Sequence, residues 1–175
     1  MLISKFNINL KRVTFDDLEL LRTWRNSEYV NERMVSKEYI TTEMQEQWFL
    51  SINNDYNYYF IAEFDNQKLG VISIKNINNK SGEGAIYLSS YNFESTSIFA
   101  RIVMCFNDFV FDELNLEYIT SFVKRDNFKA LSSTIAQGGI EDESKSTSEY
   151  IYFKIDKLGY QNKTKKIRNI LNKLV

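Results

Sequence analysis

The chain contains no proline, no histidine, a single cysteine and only six glycines in 175 residues. Without histidine, a Ser-His-Asp triad, a Cys-His dyad and the usual zinc sites are excluded. The one cysteine, Cys105, lies in the apolar run "IVMCFNDFVF"; it excludes a disulfide framework and points to a reducing compartment, the cytoplasm. Net charge is -1, so the chain as a whole carries no bias toward nucleic acid. No run reaches transmembrane length, and "MLISKFNINLKRVT" lacks the continuous apolar core of a secretion signal, so no membrane insertion is expected. With proline absent and glycine scarce, turns fall to Asn, Asp and Ser. What is present is apolar material, 43% of residues, enough for one domain with a substantial core.

Periodicity sets out the elements. "ISKFNINLKRV" reads as one strand. Thr14 opens a helix with Asp17 as capping-box partner and Leu18, Leu21 and Trp24 at helical spacing. "RNSEYVNERM" reads as a loop or a second short helix. Thr42 starts another helix, with Gln45 at the capping-box position and Met44, Trp48, Phe49 and Ile52 on one side. Three strand runs follow, "YYFIAEF", "KLGVISIKNI" and "GEGAIYLSS", joined by the hairpin signals "DNQ" and "NNKSG". A long helix covers about 95–114, with an apolar stripe of Phe99, Ile102, Val103, Phe106, Phe109 and Val110. "LEYITSFVK" is a strand, and "RDNFKALSSTIAQGG" a helix capped by Asp126 or Asn127 and stopped at Gly138. "EDESKSTS" is a polar loop, "EYIYFKID" a last strand, and "QNKTKKIRNILNKLV" a basic amphipathic helix.

The order β-α-α-β-β-β-α-β-α-β-α, together with "LRTWRN" (Leu21 to Asn26) and "NFKAL" (Asn127 to Leu131), resembles the GNAT acyltransferase superfamily. "LRTWRN" is similar to the WRN signature of the branch holding nucleotide-amino-sugar N-acetyltransferases and ribosomal-protein alanine N-acetyltransferases. "NFKAL" is similar to the N-x-x-A-L opening of the family's fourth helix. The resemblance implies an α/β (α+β) fold: a central mixed, mostly antiparallel sheet with two splayed parallel strands and helices on both faces. The similarity spans about residues 3 to 155; the domain is expected over 1–160, with the basic helix 161–175 packed on or beside it.

The resemblance also implies acetyl-CoA as cofactor and a small-molecule primary amine as acceptor. A nucleotide-linked amino sugar is the first choice and a protein N-terminal amine the second. The pantetheine arm would pair with main chain at Leu88, Ser89 and Ser90, between the splayed strands. The pyrophosphate would meet the helix start at Ser95, Thr96, Ser97, Ile98 and Phe99. There, Ser97 and Phe99 stand where the family carries glycine, and Glu94 adds a negative charge. These residues leave two readings, a modified anion cradle or a plain N-cap of the long helix. Asn127 and Lys129 would complete the cofactor site.

Thr134 holds the position of the family's general-acid tyrosine, with Ser133 beside it, and Glu83 matches a strand glutamate able to take a proton from the amine through water. Exposed helix hydroxyls and an exposed strand-end carboxylate are the plainer alternatives. Arg25, Asn26, Met34 and Tyr87 fall where the branch's acceptor would bind, Arg25 being suited to a phosphate. Trp24 and Trp48 read as core anchors. The departures at Ser97, Phe99 and Thr134 equally fit a member that serves as a non-catalytic binding or assembly module. On the last helix, Lys163, Lys165, Lys166, Arg168 and Lys173 occur without an acid, while Ile167, Ile170, Leu171 and Leu174 share a face. Docking on the sheet or on the partner of a homodimer is expected there, rather than contact with RNA or a membrane surface.

Overall fold

The computed structural model describes residues 1–93 and 97–173. The expectations for Glu94, Ser95, Thr96 and Leu174 lie outside those residues. The chain forms two compact units, 1–75 with 85–106, and 76–84 with 107–175.

In the first unit, β1 (Leu2–Lys5), β2 (Ile8–Arg12), β3 (Tyr58–Phe64) and β4 (Gln67–Lys75) pair in succession, each antiparallel to the last. The segment expected to be one strand is therefore a hairpin. Phe6 and Asn7 take φ of 55° and 60°, the paired left-handed conformation of a tight two-residue turn. Asparagine tolerates that conformation; phenylalanine does so rarely, and here its ring is buried. Asp65 and Asn66 make the same kind of turn between β3 and β4, as their sequence announces.

Three helices lie between β2 and β3: α1 (Leu18–Asn26), α2 (Glu28–Asn31) and α3 (Thr42–Ile52). The capping box forms as expected, the Thr14 N–H and hydroxyl both donating to Asp17 Oδ2 at 3.1 and 2.9 Å. The cap of α3 is Thr41 rather than a box of Thr42 with Gln45: the Met44 N–H donates to Thr41 Oγ1, and Gln45 is buried. Leu18, Leu21, Phe49, Ile61 and Val71 form a core against which Trp24 and Trp48 pack, which makes both tryptophans anchors. Burying such aliphatic and aromatic side chains contributes about 1.5–3 kcal/mol each.

The strand β5 (Ser81–Leu88) belongs to both units by its two halves, and α4 (Ser97–Asp108) passes likewise from one to the other. Gly70 lets β5 approach β4: a Cβ there would overlap the Tyr87 carbonyl oxygen and stand 2.7 Å from Leu88 Cα.

In the second unit, the first half of β5 pairs with β6 (Tyr118–Lys124), β6 with β8 (Tyr150–Asp156), and β8 with the short β7 (Ile140–Glu141). Among the described residues β5 and β6 pair in parallel, and their register covers Ser81↔Tyr118, Gly82↔Ile119 and Glu83↔Thr120. Both strands run on past that point, while β6 stays paired to β8 as far as Lys124↔Tyr150. β7 was not legible; it borders the polar loop as two residues paired to β8.

A π-helical turn, Phe109–Glu113, ends α4. The helix α5 (Phe128–Ala136) is capped by Asn127 Oδ1, which accepts from the Ala130 N–H at 3.1 Å, and stops at Gly138 with φ 91°. The last helix, α6 (Lys157–Leu171), starts earlier than expected, directly after β8, because Asp156 caps it through the Gly159 N–H at 2.8 Å. The boundary expected at 160/161 thus falls inside α6. Its docked face is Tyr160, Thr164 and Leu171; Ile170 is exposed. Arg168 makes a bidentate ion pair with Asp108, Nη1 to Oδ2 at 2.7 Å and Nη2 to Oδ1 at 2.6 Å. The Tyr160 hydroxyl donates to the same carboxylate at 2.8 Å.

Candidate active site

In the first unit, the structure brings Arg25 to Tyr87. Arg25 is half-buried and its Nη1 is shielded with no hydrogen-bond partner. Burial pulls the guanidinium pKa down, and the nearby Tyr87 opposes that shift. Burial likewise pushes the Tyr87 phenol up, with Arg25 as the opposing influence. No carboxylate among the described residues enters this pairing. A half-buried cation without a counter-charge is costly, and an anionic ligand is one way to complete it.

Asn26 takes a different part. Its Nδ2 donates to the Ile40 carbonyl at 2.9 Å and its Oδ1 accepts from the Ile40 N–H at 2.8 Å, so its amide pins the segment ahead of α3. The same segment is tied to α1 by Arg22, which donates to the Tyr39 hydroxyl at 3.1 Å while gripping Glu19. Met34 is half-buried in the connection after α2, its N–H donating to the Asn31 carbonyl. A second contact reaches from the α2 segment toward the end of β5: the Tyr29 and Tyr91 rings meet edge to face at 6.4 Å, and the Arg33 guanidinium lies over Tyr29 at 4.0 Å.

At the end of β5, Ser89 departs from expectation. Its N–H and its hydroxyl both donate to the Leu69 carbonyl, at 2.8 and 2.9 Å. That main-chain amide is therefore committed to β4, because the Gly70 gap lets the strands close there. The Ser90 carbonyl and hydroxyl accept from the Phe93 and Asn92 N–H groups in a single 3-10 turn. Leu88 is buried. Ser97 opens α4 and is exposed, and Ile98 and Phe99 are half-buried in its first turn.

In the second unit, Glu83 closes the parallel ladder opposite Thr120. The next residue, Gly84, packs so tightly that a Cβ would lie 2.8 Å from Ile119 Cγ2. Asn127 caps α5 through its Oδ1, and Lys129 is exposed. Thr134 is buried, and its hydroxyl donates to the Ala130 carbonyl at 2.9 Å; the proton expected to serve a leaving group is already engaged inside the helix. Ser133, half-buried, accepts at Oγ from Gln137 Nε2 at 3.1 Å. Gln137 in turn accepts at Oε1 from the buried Asn107 Nδ2 at 2.8 Å. One residue beyond the ladder's end, the buried Ser121 Oγ on β6 has no partner.

Asn107, Gln137 and Ser121 were missed from sequence. The only signals were a polar residue inside the α4 stripe, a Gln one turn beyond Ser133, and a Ser between strand apolars; none of these reports a tertiary contact. A cavity of about 300 Å³ in this unit, beside Asp108, Tyr160 and Arg168, is built around the structural ion pair. Among the described residues no cluster of acids and cysteine could hold a metal, and no helix is long and apolar enough to cross a membrane.

Known proteins share this fold. Acetyltransferase PseH of Campylobacter jejuni subsp. jejuni serotype O:23/36 (strain 81-176) is 28% identical over 124 residues, which is 70% of this chain and 76% of that protein. Among solved structures, Campylobacter jejuni N-acetyltransferase PseH in complex with acetyl coenzyme A superposes with TM-score 0.67 at 20% identity, covering 86% of this chain and 99% of that one. Apo FdhC, a nucleotide-linked sugar GNAT, gives TM-score 0.81 at 21% identity and covers 98% of both chains. Spermidine N-acetyltransferase from Vibrio cholerae gives 0.80 at 18% identity, covering 90% of this chain and all of that one. The model of the acetyltransferase (GNAT) domain matches residues 7–134, most of the chain, and the protein belongs to that family.

Proposed function

We propose that the protein is an acetyl-CoA-dependent N-acetyltransferase whose acceptor is the primary amine of a nucleotide-linked amino sugar. The observation that carries the acceptor is Arg25, a half-buried guanidinium with a shielded, unpartnered nitrogen and no carboxylate beside it among the described residues. A phosphate of the nucleotide supplies the missing charge and suits the planar fork of donors. A nucleotide-linked sugar GNAT is among the proteins that share this fold, which accords with that choice.

Bound acetyl-CoA supplies an acetyl group already activated as a thioester, so direct attack by the amine needs no covalent enzyme intermediate. The absence of histidine from the chain is compatible with that route. Asn127, whose Oδ1 is engaged in the α5 cap, offers its Nδ2 as a donor to an amide of the pantetheine arm. Glu83, at the end of the parallel ladder, takes the proton of the attacking ammonium through a water. An amine with a pKa near 8 is partly neutral at pH 7, so this base gains only a modest factor.

The test is calorimetric titration with UDP of the native protein and of Arg25→Ala. Losing a charge-assisted bond to phosphate weakens binding about tenfold to a hundredfold. Equal affinity in the two proteins removes Arg25 from the acceptor site.

A further inference from the structure

We propose that the groove between α1 and α3 is a binding site for a small organic cation, an alkylguanidinium. It involves none of the residues assigned to acetyl transfer. Phe15 and Asp16 in the single turn ahead of α1, Glu19 and Arg22 on α1, and Gln45 and Glu46 on α3 line a cavity of about 220 Å³.

Three carboxylates meet one guanidinium there, and that guanidinium is already engaged. Arg22 Nε and Nη2 donate to Glu19 at 2.8 and 2.7 Å, and Nη1 donates to the Tyr39 hydroxyl at 3.1 Å. Asp16 and Glu46 have no cation partner among the described residues. The cavity therefore keeps two uncompensated negative charges. Solvated carboxylates are common on protein surfaces, and alone these two would identify no ligand.

The second observation is Gln45. It is only 5% exposed, it lines this cavity, and its side-chain amide makes no hydrogen bond among the described residues. Its sequence position suits the returning arm of a capping box, but Thr41 caps α3 and leaves that amide unused. One turn further along the same stripe, Phe49 enters the core, which puts Gln45 at the inner wall of the groove. A buried amide without a partner costs stability unless something bound in the cavity completes it.

The lining selects the head group. Gln45 Oε1 and the two free carboxylates are separate acceptors around one cavity, and a guanidinium carries five N–H donors in a rigid plane. An ammonium is a compact, strongly hydrated charge that gives up more water to enter. Phe15, 57% exposed, adds an aromatic ring on which a flat cation stacks. These acids form no metal-holding group among the described residues. The cavity has the volume of about seven waters, room for one such head and a short alkyl stem.

The test is calorimetric titration of the native protein, Glu46→Gln and Gln45→Met with 1-butylguanidine, and with 1-butylamine as the matched ammonium. Glu46 is exposed, so Glu46→Gln removes one charge without touching the core. Gln45→Met keeps the length of the side chain and removes its amide. The native protein is expected to bind butylguanidine about tenfold tighter than butylamine, and each variant to bind it about tenfold weaker than the native protein does. Gln45→Met is also expected to melt at or above the native temperature, since an apolar group of that shape relieves an unpartnered amide. A clear fall in its melting temperature would show the amide to be structurally engaged and would remove it from the site. Absence of binding at millimolar butylguanidine, or equal affinity in the native protein and Glu46→Gln, overturns the proposal. Equal affinity of the native protein for the two ligands overturns the choice of a guanidinium.

Discussion

Arg168→Ala should destabilise the protein far more than truncation of any exposed residue on its last helix. The Arg168 side chain is 24% exposed and Asp108 7% exposed, so the substitution strips a nearly buried carboxylate of its partner. Breaking a fully buried pair this way costs about 3–5 kcal/mol. The part of Arg168 that reaches solvent is screened, which lowers the expected loss to about 2–4 kcal/mol. Tyr160, only 1% exposed, still donates to Asp108 and softens the loss without restoring the charge. For a chain of this size each kcal/mol moves the melting temperature by about 2–4 °C, so scanning calorimetry should record a drop of about 4–16 °C. The control is Lys166→Ala, on the exposed face of α6, expected within about 0.5 kcal/mol of the native protein. Equal, small effects at the two positions would refute the account of α6 as a docked element and return it to the status of a basic arm.

The remaining predictions concern pH. The Asp17 pKa is raised by burial, but the Thr14 N–H and hydroxyl and the Lys68 ammonium outweigh this and leave it below its ordinary 3.8. A depressed carboxylate stabilises above its unfolded value, near 4, and that contribution is lost as pH falls through the lower folded value. Asp17→Asn should therefore cost about 1 kcal/mol at pH 7, the scale of one helix cap, and the gap to the native protein should close in urea melts as the pH is taken down through the lowered folded value. The Tyr160 phenol is pushed up by burial and by Asp108, so its share of stability is complete below pH 10 and falls away as alkali rises past that point.

Local signals carried most of the fold. The Thr14–Asp17 box, the Asp65–Asn66 turn, the Asn127 cap and the Gly138 stop each depend on residues a few positions apart, and each formed as read. The Phe6–Asn7 turn escaped because a phenylalanine in left-handed conformation has no local signature; burial of its ring holds it there. β7 escaped because two residues carry no alternation, and α6 because Asp156 starts it four residues before the basic run.

Residue type alone pointed to Arg25, whose Nη1 the structure shields without a hydrogen-bond partner, and to Asn127, which caps α5. Ser89 and Asn26 were selected by position, yet the chain closes their hydrogen bonds onto Leu69 and Ile40, which are distant in sequence. Thr134 looked like an available hydroxyl because a bond to the carbonyl four residues back is invisible in composition. The Asn107–Gln137 contact joins residues thirty positions apart and could be found only in three dimensions.

The most direct measurement is mass spectrometry of the purified protein incubated with acetyl-CoA and a UDP-linked amino sugar, with released coenzyme thiol counted in parallel. The account predicts an acetylated sugar nucleotide formed one for one with free thiol. An unmodified sugar nucleotide, together with a melting temperature that millimolar acetyl-CoA fails to raise, would contradict it and leave a GNAT-fold binding module.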